Sequence, residues 1–316
     1  MVIPTRNRWS LLSRTLTGAL EQIDVDHEVV VVDDGSTDET PLGLTDIGDP
    51  RLRVVRHESG RGLPAARNSG ISAARGRWVA FLDDDDLWSP VKLRLVLDVA
   101  GEANADFAYS AGLVVDQANQ VLETWPAPDP AQVLDLLLTG NWIPAGASNS
   151  IAQTGLLRRL GGFDEGLDHF ADWDMWIRLA AEGPIAASPE PLVARVLHPE
   201  NMVLTHSRHA AREFRDLVGK HRRAAESYGV TPDRVMPDTM GVFRWLGWAE
   251  ARRGRRARAA AWYLRAAWTR SPYGRRQTVR DAVRALAGEV PPARPISVDP
   301  DIVQGASWLE RYERAA

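Results

Sequence analysis

The chain contains no cysteine. That excludes disulfides, thiolate metal sites and cysteine nucleophiles together. It also lacks any apolar run of about 18 residues, so no helix is expected to span a membrane. Its first residues, MVIPTRNR, hold no apolar stretch of the kind that makes a secretory signal. Neither sign of charge dominates. The formal net charge is −4, which gives no overall reason to expect nucleic-acid binding. These absences suggest a cytoplasmic protein, with peripheral contact at the inner face of a membrane left open.

What is present suffices for a core. The 316 residues are 44% hydrophobic and 25% charged, enough for one large α/β domain and an appendage. Charge is unevenly spread, because residues 241–290 hold twelve Arg against three acidic residues.

Strand-like and helix-like segments alternate over the first hundred residues. Val2–Ile3 open a short apolar strand, and helical spacing follows from Trp9 to Gln22. The segment HEVVVVDD (His27–Asp34) predicts a buried strand, since β-branched residues run without polar interruption. A helix is expected over Ser36–Thr45, a strand over Arg51–His57, and a helix with an early proline over Pro64–Arg75. Arg77–Asp83 reads as the fourth strand and Pro90–Ala100 as the fourth helix.

This alternation predicts a mostly parallel sheet flanked by helices, with ligands at the carboxyl ends of its strands. Thr5, Asp33–Asp34 and Asp83–Asp86 all fall at such ends. Further along, Ala105–Asp116 reads as a strand, Ala131–Leu138 as a short helix and Glu190–His198 as a closing strand. Beyond residue 205 the pattern is helical, with a helix pair over Gly241–Pro272 turning near Gly254. Trp245, Trp248, Trp262 and Tyr263 are placed to line its seam. The expected division is residues 1–204 as the α/β domain and 205–316 as a helical extension packed on it.

Three segments carry chemistry. FLDDDDLW (Phe81–Trp88) puts four carboxylates at a strand end, where they repel one another unless a cation sits among them. Mg²⁺ and Mn²⁺ are often held by one or two carboxylates plus substrate phosphates. In extended backbone Asp83 and Asp85 would share one side, and Asp84 and Asp86 the other. The bland reading is a solvated acidic turn. VVVVDDGSTDET (Val29–Thr40) ends a buried strand with carboxylates able to accept a base N–H, and is also good turn chemistry. HFADWDMWIRLA (His169–Ala180) places Asp172 at a helix start beside Trp173 and Trp176, surroundings that raise a carboxyl toward general-base use. Asp172 or Asp168 as a simple N-cap is the bland alternative. Asp174 is expected in solvent.

Taken together, VIPTRNR (Val2–Arg8), VVDDGSTDET (Val31–Thr40), GLPAARNSGISAARGRWVAFLDDDD (Gly62–Asp86), GGFDE (Gly161–Glu165), ADWDMWIRLA (Ala171–Ala180) and RVLHPEN (Arg195–Asn201) resemble the family 2 glycosyltransferases, whose nucleotide-binding fold is called GT-A. The order and spacing of these stretches make the resemblance specific over roughly residues 1–200. It implies a GT-A-like domain that moves a sugar from a nucleotide-diphosphate donor, UDP foremost, to an acceptor hydroxyl with inversion. It also implies roles. Thr5 and Asp34 contact the base, with Asp33 supporting the turn. Asp83 and Asp85 form the D-x-D, Asp85 being the direct ligand of Mn²⁺ or Mg²⁺, and Asp84 lies near the ribose. Arg67 and Asn68 help hold the donor, and Asp172 is the catalytic base. His198 lies near the diphosphate and its metal. Ala171 stands where the family often has Glu, which removes an acceptor contact. The absence of Q-x-x-R-W after Asp172 argues against processive synthases. The acceptor is a lipid carrier, a glycan or a small molecule.

Three rivals are weaker. GRGLPA (Gly60–Ala65) fits a nicotinamide-binding loop, but it follows the third strand and Pro64 intrudes. A sugar-phosphate nucleotidyltransferase wants a glycine-rich loop after the first strand, and TRNRWS has no glycine. A non-catalytic sugar- or partner-binding protein leaves the D-x-D and Asp172 without a purpose. The Arg-rich C-terminal helices offer contact with anionic lipid or with a lipid-diphosphate acceptor, against the bland alternative of Arg stems covering apolar surface.

Overall fold

The computed structural model describes residues 1–198, 201, 207–269, 275–291 and 297–312. The chain divides into two compact units. The first comprises Met1–Leu137, Asn141–Leu197 and Val298–Ala316, and the second Leu138–Gly140 and His198–Ser297. The boundary thus falls a few residues before the expected one, and the chain returns to the first unit at Val298.

The first unit is built on β1 (Val2–Thr5), β2 (Val29–Asp33), β3 (Leu52–Arg56) and β4 (Trp78–Ala80). Strands β1, β2 and β3 pair in parallel, as the alternation predicts. Every residue of β2 is buried, which is why its valines run unbroken. A parallel bridge between Val2 and Phe81 joins β1 to the chain just past β4, with Leu82 N–H donating to Val2 O at 3.1 Å. This bridge brings the acidic segment after Phe81 alongside Thr5 at the carboxyl end of β1.

Helices α1 (Trp9–Leu20), α2 (Thr40–Asp46), α3 (Leu63–Ala73) and α4 (Lys92–Glu102) follow the first strands. In α1 the buried positions Leu12, Thr15, Leu16 and Ala19 recur at helical spacing. Helix α2 starts four residues later than Ser36, because Ser36 and Thr37 are used in a turn described below.

Beyond α4 the sheet is mixed. It contains β5 (Leu87–Trp88), β6 (Phe107–Val115), β7 (Val121–Trp125), β8 (Ile151–Gln153) and β9 (Ile185–Val196). Strands β6 and β9 are parallel, whereas β4–β8, β5–β9, β6–β7 and β6–β8 are antiparallel. Helices α5 (Val133–Leu137), α6 (Thr154–Arg159) and α7 (Ala171–Glu182) complete the middle of this unit.

An aromatic cluster ties α7 to the sheet. Trp176 stacks on Phe107 at 5.4 Å and lies 6.3 Å from Phe81, and Phe163 meets both Phe81 and Trp176 edge-on. All four rings are buried. Burying each such side chain contributes about 1.5–3 kcal/mol.

The second unit is helical where described: α8 (Ser207–Ala224), α9 (Thr239–Arg252), α10 (Arg256–Ala267) and α11 (Arg275–Leu286). Gly254, at φ +69°, turns α9 into α10, where the sequence places the turn. Leu246 and Tyr263 are fully buried between them, and Trp245 and Trp248 are partly so. Helix α12 (Pro300–Gln304) lies in the first unit. Among the described residues no helix is long and apolar enough to cross a membrane.

Lys92 is fully buried, with Nζ 2.7 Å from Asn149 Oδ1 and 5.2 Å from the Trp88 ring. No carboxylate among the described residues pairs with it, and burial holds its ammonium well below the ordinary 10.5. The folded chain therefore binds fewer protons here than the unfolded one, and stability falls as pH drops from the ordinary lysine value toward the depressed one. Lys92→Met is expected to flatten this limb of a melting-temperature curve against pH. It should also raise the melting temperature near pH 7 by about 2–4 °C for each kcal/mol recovered. A variant that kept the wild-type slope would contradict this account of Lys92.

Candidate active site

The four carboxylates of Asp83–Asp86 do not continue β4. The strand ends at Ala80, and the acids form a turn in which Asp86 N–H reaches Asp83 O at 3.3 Å. The side chains therefore do not alternate between two faces. Asp83 accepts Arg67 Nη2 at 2.6 Å. Asp84 accepts Thr5 Oγ1 at 2.7 Å and Arg8 Nη1 at 3.1 Å. Asp85 accepts the same Arg8 nitrogen, also at 3.1 Å. Asp84 and Asp85, not Asp83 and Asp85, thus share a cation.

Asp86 points inward. Ser148 Oγ donates to it at 2.5 Å, and the Val196 N–H at 3.1 Å. The same Ser148 hydroxyl accepts the Asp83 N–H at 3.0 Å, while Ser148 O accepts Trp88 Nε1 at 2.6 Å. One serine thereby clasps both ends of the turn.

The electrostatics follow from burial. Burial and the adjoining Asp85 push the Asp84 carboxyl up to about 7, against the pull of Arg8 and Thr5. Burial, with Asp85 and Asp83, lifts Asp86 well above the ordinary carboxylate range. Arg8 and Arg67 offset most of the turn's negative charge. Hard carboxylate oxygens clustered in this way are the donor set that Mg²⁺ and Mn²⁺ take. Among the described residues no three His, Asp or Glu side chains are arranged to hold an ion unaided.

Asp172 lies in the first turn of α7, half-buried, and accepts the Trp173 N–H at 2.8 Å. Burial raises its carboxyl above the ordinary range. Arg67 pulls it down, and Asp83 adds to the rise, so the two partners at the acid turn both act on Asp172. The segment Gly146–Asn149 runs between these groups: its Ser148 clasps the acid turn, and its Gly146 faces Asp172. At Gly146 (φ +55°) a Cβ would stand 2.8 Å from Asp172 Oδ2.

Asp174, expected in solvent, is fully buried. Arg178, one helical turn on, neutralises it at 2.7 Å and spends its other donors on Leu160 O and Gly162 O. The pair anchors the GGFDE loop to α7. Asn68 holds the same loop through Phe163 N–H, Phe163 O and Glu165. Arg67 is buried over the Phe163 ring at 5.3 Å.

At the end of β2, Asp33 is buried, accepts the Ser36 N–H at 2.8 Å, and lies 3.4 Å from Arg56. It supports the turn. Gly35 takes φ +75° there, with Ser59 backbone where a side chain would go. Ser36 and Thr37 face Asn7: Asn7 N–H donates to Ser36 Oγ, and Thr37 N–H to Asn7 Oδ1. Asp34 accepts the Arg61 and Gly62 N–H groups at 2.8 and 2.9 Å and His57 Nδ1 at 2.6 Å. Burial would raise its carboxyl, but these three donors hold it below the ordinary value. His198 is buried, and its N–H donates to Asn201 Oδ1 at 2.8 Å. It opens the second unit, two residues past Val196.

The geometry adds Arg8 and Ser148 to the residues named from sequence. Arg8 sits in the quoted VIPTRNR stretch, where a basic side chain one step past Asn7 was a readable signal. Ser148 lies in a region without a motif, and nothing in the sequence marks it.

Comparison with known proteins bears directly on this site. The sequence model described as Glycosyl transferase family 2 matches residues 1–133. Residues 1–133 are thus similar to this family, and the match ends before the second half of the chain. Over 137 residues it is 39% identical to the succinoglycan biosynthesis protein ExoO of Rhizobium meliloti, covering 43% of this chain and 39% of that protein. Over 128 residues it is 29% identical to the UDP-Glc:alpha-D-GlcNAc-diphosphoundecaprenol beta-1,3-glucosyltransferase WfgD of Escherichia coli, covering 40% of this chain and 50% of that protein. The chain thus spans half or less of the length of these curated relatives.

Solved structures share the fold. Staphylococcus aureus TarS 1–349 in complex with UDP-GlcNAc superposes with a TM-score of 0.62 at 16% identity, covering 99% of this chain and 88% of that one. The mannosyltransferase PcManGT of Pyrobaculum calidifontis, in complex with GDP-Man and Mn²⁺, gives 0.55 at 20% identity, covering 99% and 84%. The family 2 match takes in the acid turn and the DDGST turn, whereas Asp172 and His198 lie beyond it.

Gly146→Ala is expected to displace the Asp172 carboxylate. A displacement near 1 Å costs about 10²-fold in turnover, and affinity for the nucleotide should stay at the wild-type level. Steady-state kinetics beside nucleotide titration would check this, and unchanged kcat would refute the contact.

Proposed function

We propose that this protein is a divalent-metal-dependent, inverting glycosyltransferase that moves a sugar from a nucleotide-diphosphate donor, UDP foremost, to an acceptor hydroxyl in cell-surface glycan or glycoconjugate assembly. The observation that carries the reading is the convergence on one region of the acid turn, Thr5, Arg67 and the pKa-raised Asp172. The names of ExoO and WfgD support the glycan setting, and the WfgD name favours a lipid-diphosphate acceptor among the classes considered.

In this reading Asp85 would be the direct ligand of Mn²⁺ or Mg²⁺, with Asp83 beside it and donor phosphates supplying further oxygens. His198's metal role rests on the sequence resemblance. The bound metal supplies Lewis-acid stabilisation of the departing diphosphate. Thr5 and Asp34 take the base side, Asp33 fixes the turn beside them, and Asp84, which accepts the Thr5 hydroxyl, takes the ribose side. Arg67 holds Asp83 and lends positive charge near the leaving group. Asp172 accepts the acceptor proton as its oxygen attacks the anomeric carbon, the bond to the diphosphate oxygen breaks, and the pair of electrons leaves with the nucleotide. Its raised carboxyl suits this work, since a base is most effective when its pKa approaches the working pH.

Asp172→Asn should lower kcat by about 10²–10⁴-fold while leaving metal-dependent stabilisation by the nucleotide sugar intact. A thermal-shift series over UDP-, dTDP- and GDP-sugars with and without Mn²⁺ reads that stabilisation. Retained turnover in Asp172→Asn would remove the base. No metal-dependent shift with any donor would remove the donor site.

Peripheral membrane contact is also proposed, on one observation in the second unit. Val279, Val283 and Leu286 of α11 are 40%, 62% and 54% exposed. At about 100° per residue they form one stripe, and Arg276 and Arg280 line the sector beside it, while Arg284 is paired with Asp281 and Glu289. An apolar stripe flanked by cations suits an anionic lipid surface. Vesicles containing phosphatidylglycerol should sediment the protein in a salt-sensitive way, and Val283→Asp should weaken this. Equal binding to neutral phosphatidylcholine vesicles, or none to either, would overturn it.

A further inference from the structure

Arg8 occupies a singular position in the acid turn. A single nitrogen, Nη1, lies 3.1 Å from Asp84 Oδ1 and 3.1 Å from Asp85 Oδ2. Its side chain is 23% exposed, against 7% and 10% for the two carboxylates, so the cation closes the turn from the open side. Its backbone is fixed, because Arg8 O accepts the N–H groups of Leu11 and Leu12 at the start of α1. A change of partner must therefore come from the side chain alone.

Charge decides what happens when a metal arrives. Asp84 and Asp85 together bring at most two negative charges against the positive charge of Arg8. A divalent ion added beside a guanidinium that stays in place leaves the trio positive and sets two cations on the same carboxylates. Like charges so close in a poorly solvated site repel strongly. A diphosphate resolves the conflict, since its oxygens are the preferred partner of a displaced guanidinium.

We propose that Arg8 is the resident counter-cation of the acid turn, exchanged for the divalent metal only when the metal enters with a nucleotide diphosphate. Resting on the metal-dependent reading above, this makes Arg8 a gate. It keeps the turn charge-compensated between turnovers, disfavours the free metal ion, and moves onto the diphosphate as the metal takes Asp85. The metal and the nucleotide then bind with positive coupling, and that coupling is reciprocal.

The test is a Mn²⁺ titration of the full chain, followed by the electron paramagnetic resonance signal of free Mn²⁺, with and without UDP. In the wild type UDP should tighten Mn²⁺ binding by about 5- to 150-fold, the usual span of such coupling. Arg8→Gln should bind Mn²⁺ about tenfold more tightly than wild type without UDP, and most of the coupling should vanish. Arg8→Lys keeps the charge and should restore weak binding of the metal alone. It also keeps the test decisive if Arg8→Gln folds poorly by circular dichroism. Arg8→Gln with wild-type Mn²⁺ affinity, or Arg8→Lys that binds the metal as tightly as Arg8→Gln, overturns the counter-cation role. If the wild type takes up no Mn²⁺ even with UDP, and Asp85→Asn behaves identically, the metal reading itself falls.

Discussion

Four adjacent carboxylates at the end of a buried strand are the constraint around which the first unit is organised. Their mutual repulsion is worst where water is scarce, and each is met by a different solution. Arg67, buried over Phe163, meets Asp83. Arg8 and Thr5 meet Asp84, and Arg8 also reaches Asp85. Asp86 has no arginine at hydrogen-bond distance in this turn and turns inward to a hydroxyl and a backbone N–H, which suits a carboxyl that burial favours in its neutral form. The clustered carboxylate oxygens are the donors that a divalent cation bridged to a diphosphate would use, so the feature that costs stability is the one the proposed site depends on.

The helix bearing Asp172 is held in register with that turn by packing as well as by charge. The rings of Phe81, Phe107, Phe163 and Trp176 join the strand leading into the acids to the helix bearing Asp172. The buried Asp174–Arg178 pair fastens the GGFDE loop to the same helix. Between them Gly146 and Ser148, two residues apart, face Asp172 and the acid turn respectively. Asp172 and the acid turn are thereby both met by one short segment, whose start at Ala145 and Gly146 is left-handed.

Much of this was legible in the residues. The unbroken valines of β2, the early proline of α3 and the polar strand ends marked a parallel sheet and its ligand edge, because burial on both faces and helix-start chemistry leave local traces. The turn at Gly254 was equally readable. The mixed half of the sheet was not, since β5 and β8 are two and three residues long and owe their pairing to β9, β4 and β6 rather than to their own pattern. The period-two rule misplaced the acids because the strand stops at Ala80. Asp174 looked solvated because its partner Arg178 is recognised only once the helix is packed. The clasp by Ser148 spans more than sixty residues and no spacing rule reaches it.

The central claim is that the acid turn receives a cation bridged to a nucleotide diphosphate. A crystal structure with UDP and Mn²⁺, in which anomalous scattering locates the metal, tests it most directly. The expected map shows one manganese peak at Asp85 touching the diphosphate, with the Arg8 guanidinium withdrawn from that carboxylate. A manganese peak away from the turn, or a diphosphate bound while Arg8 still bridges Asp84 and Asp85, would contradict it.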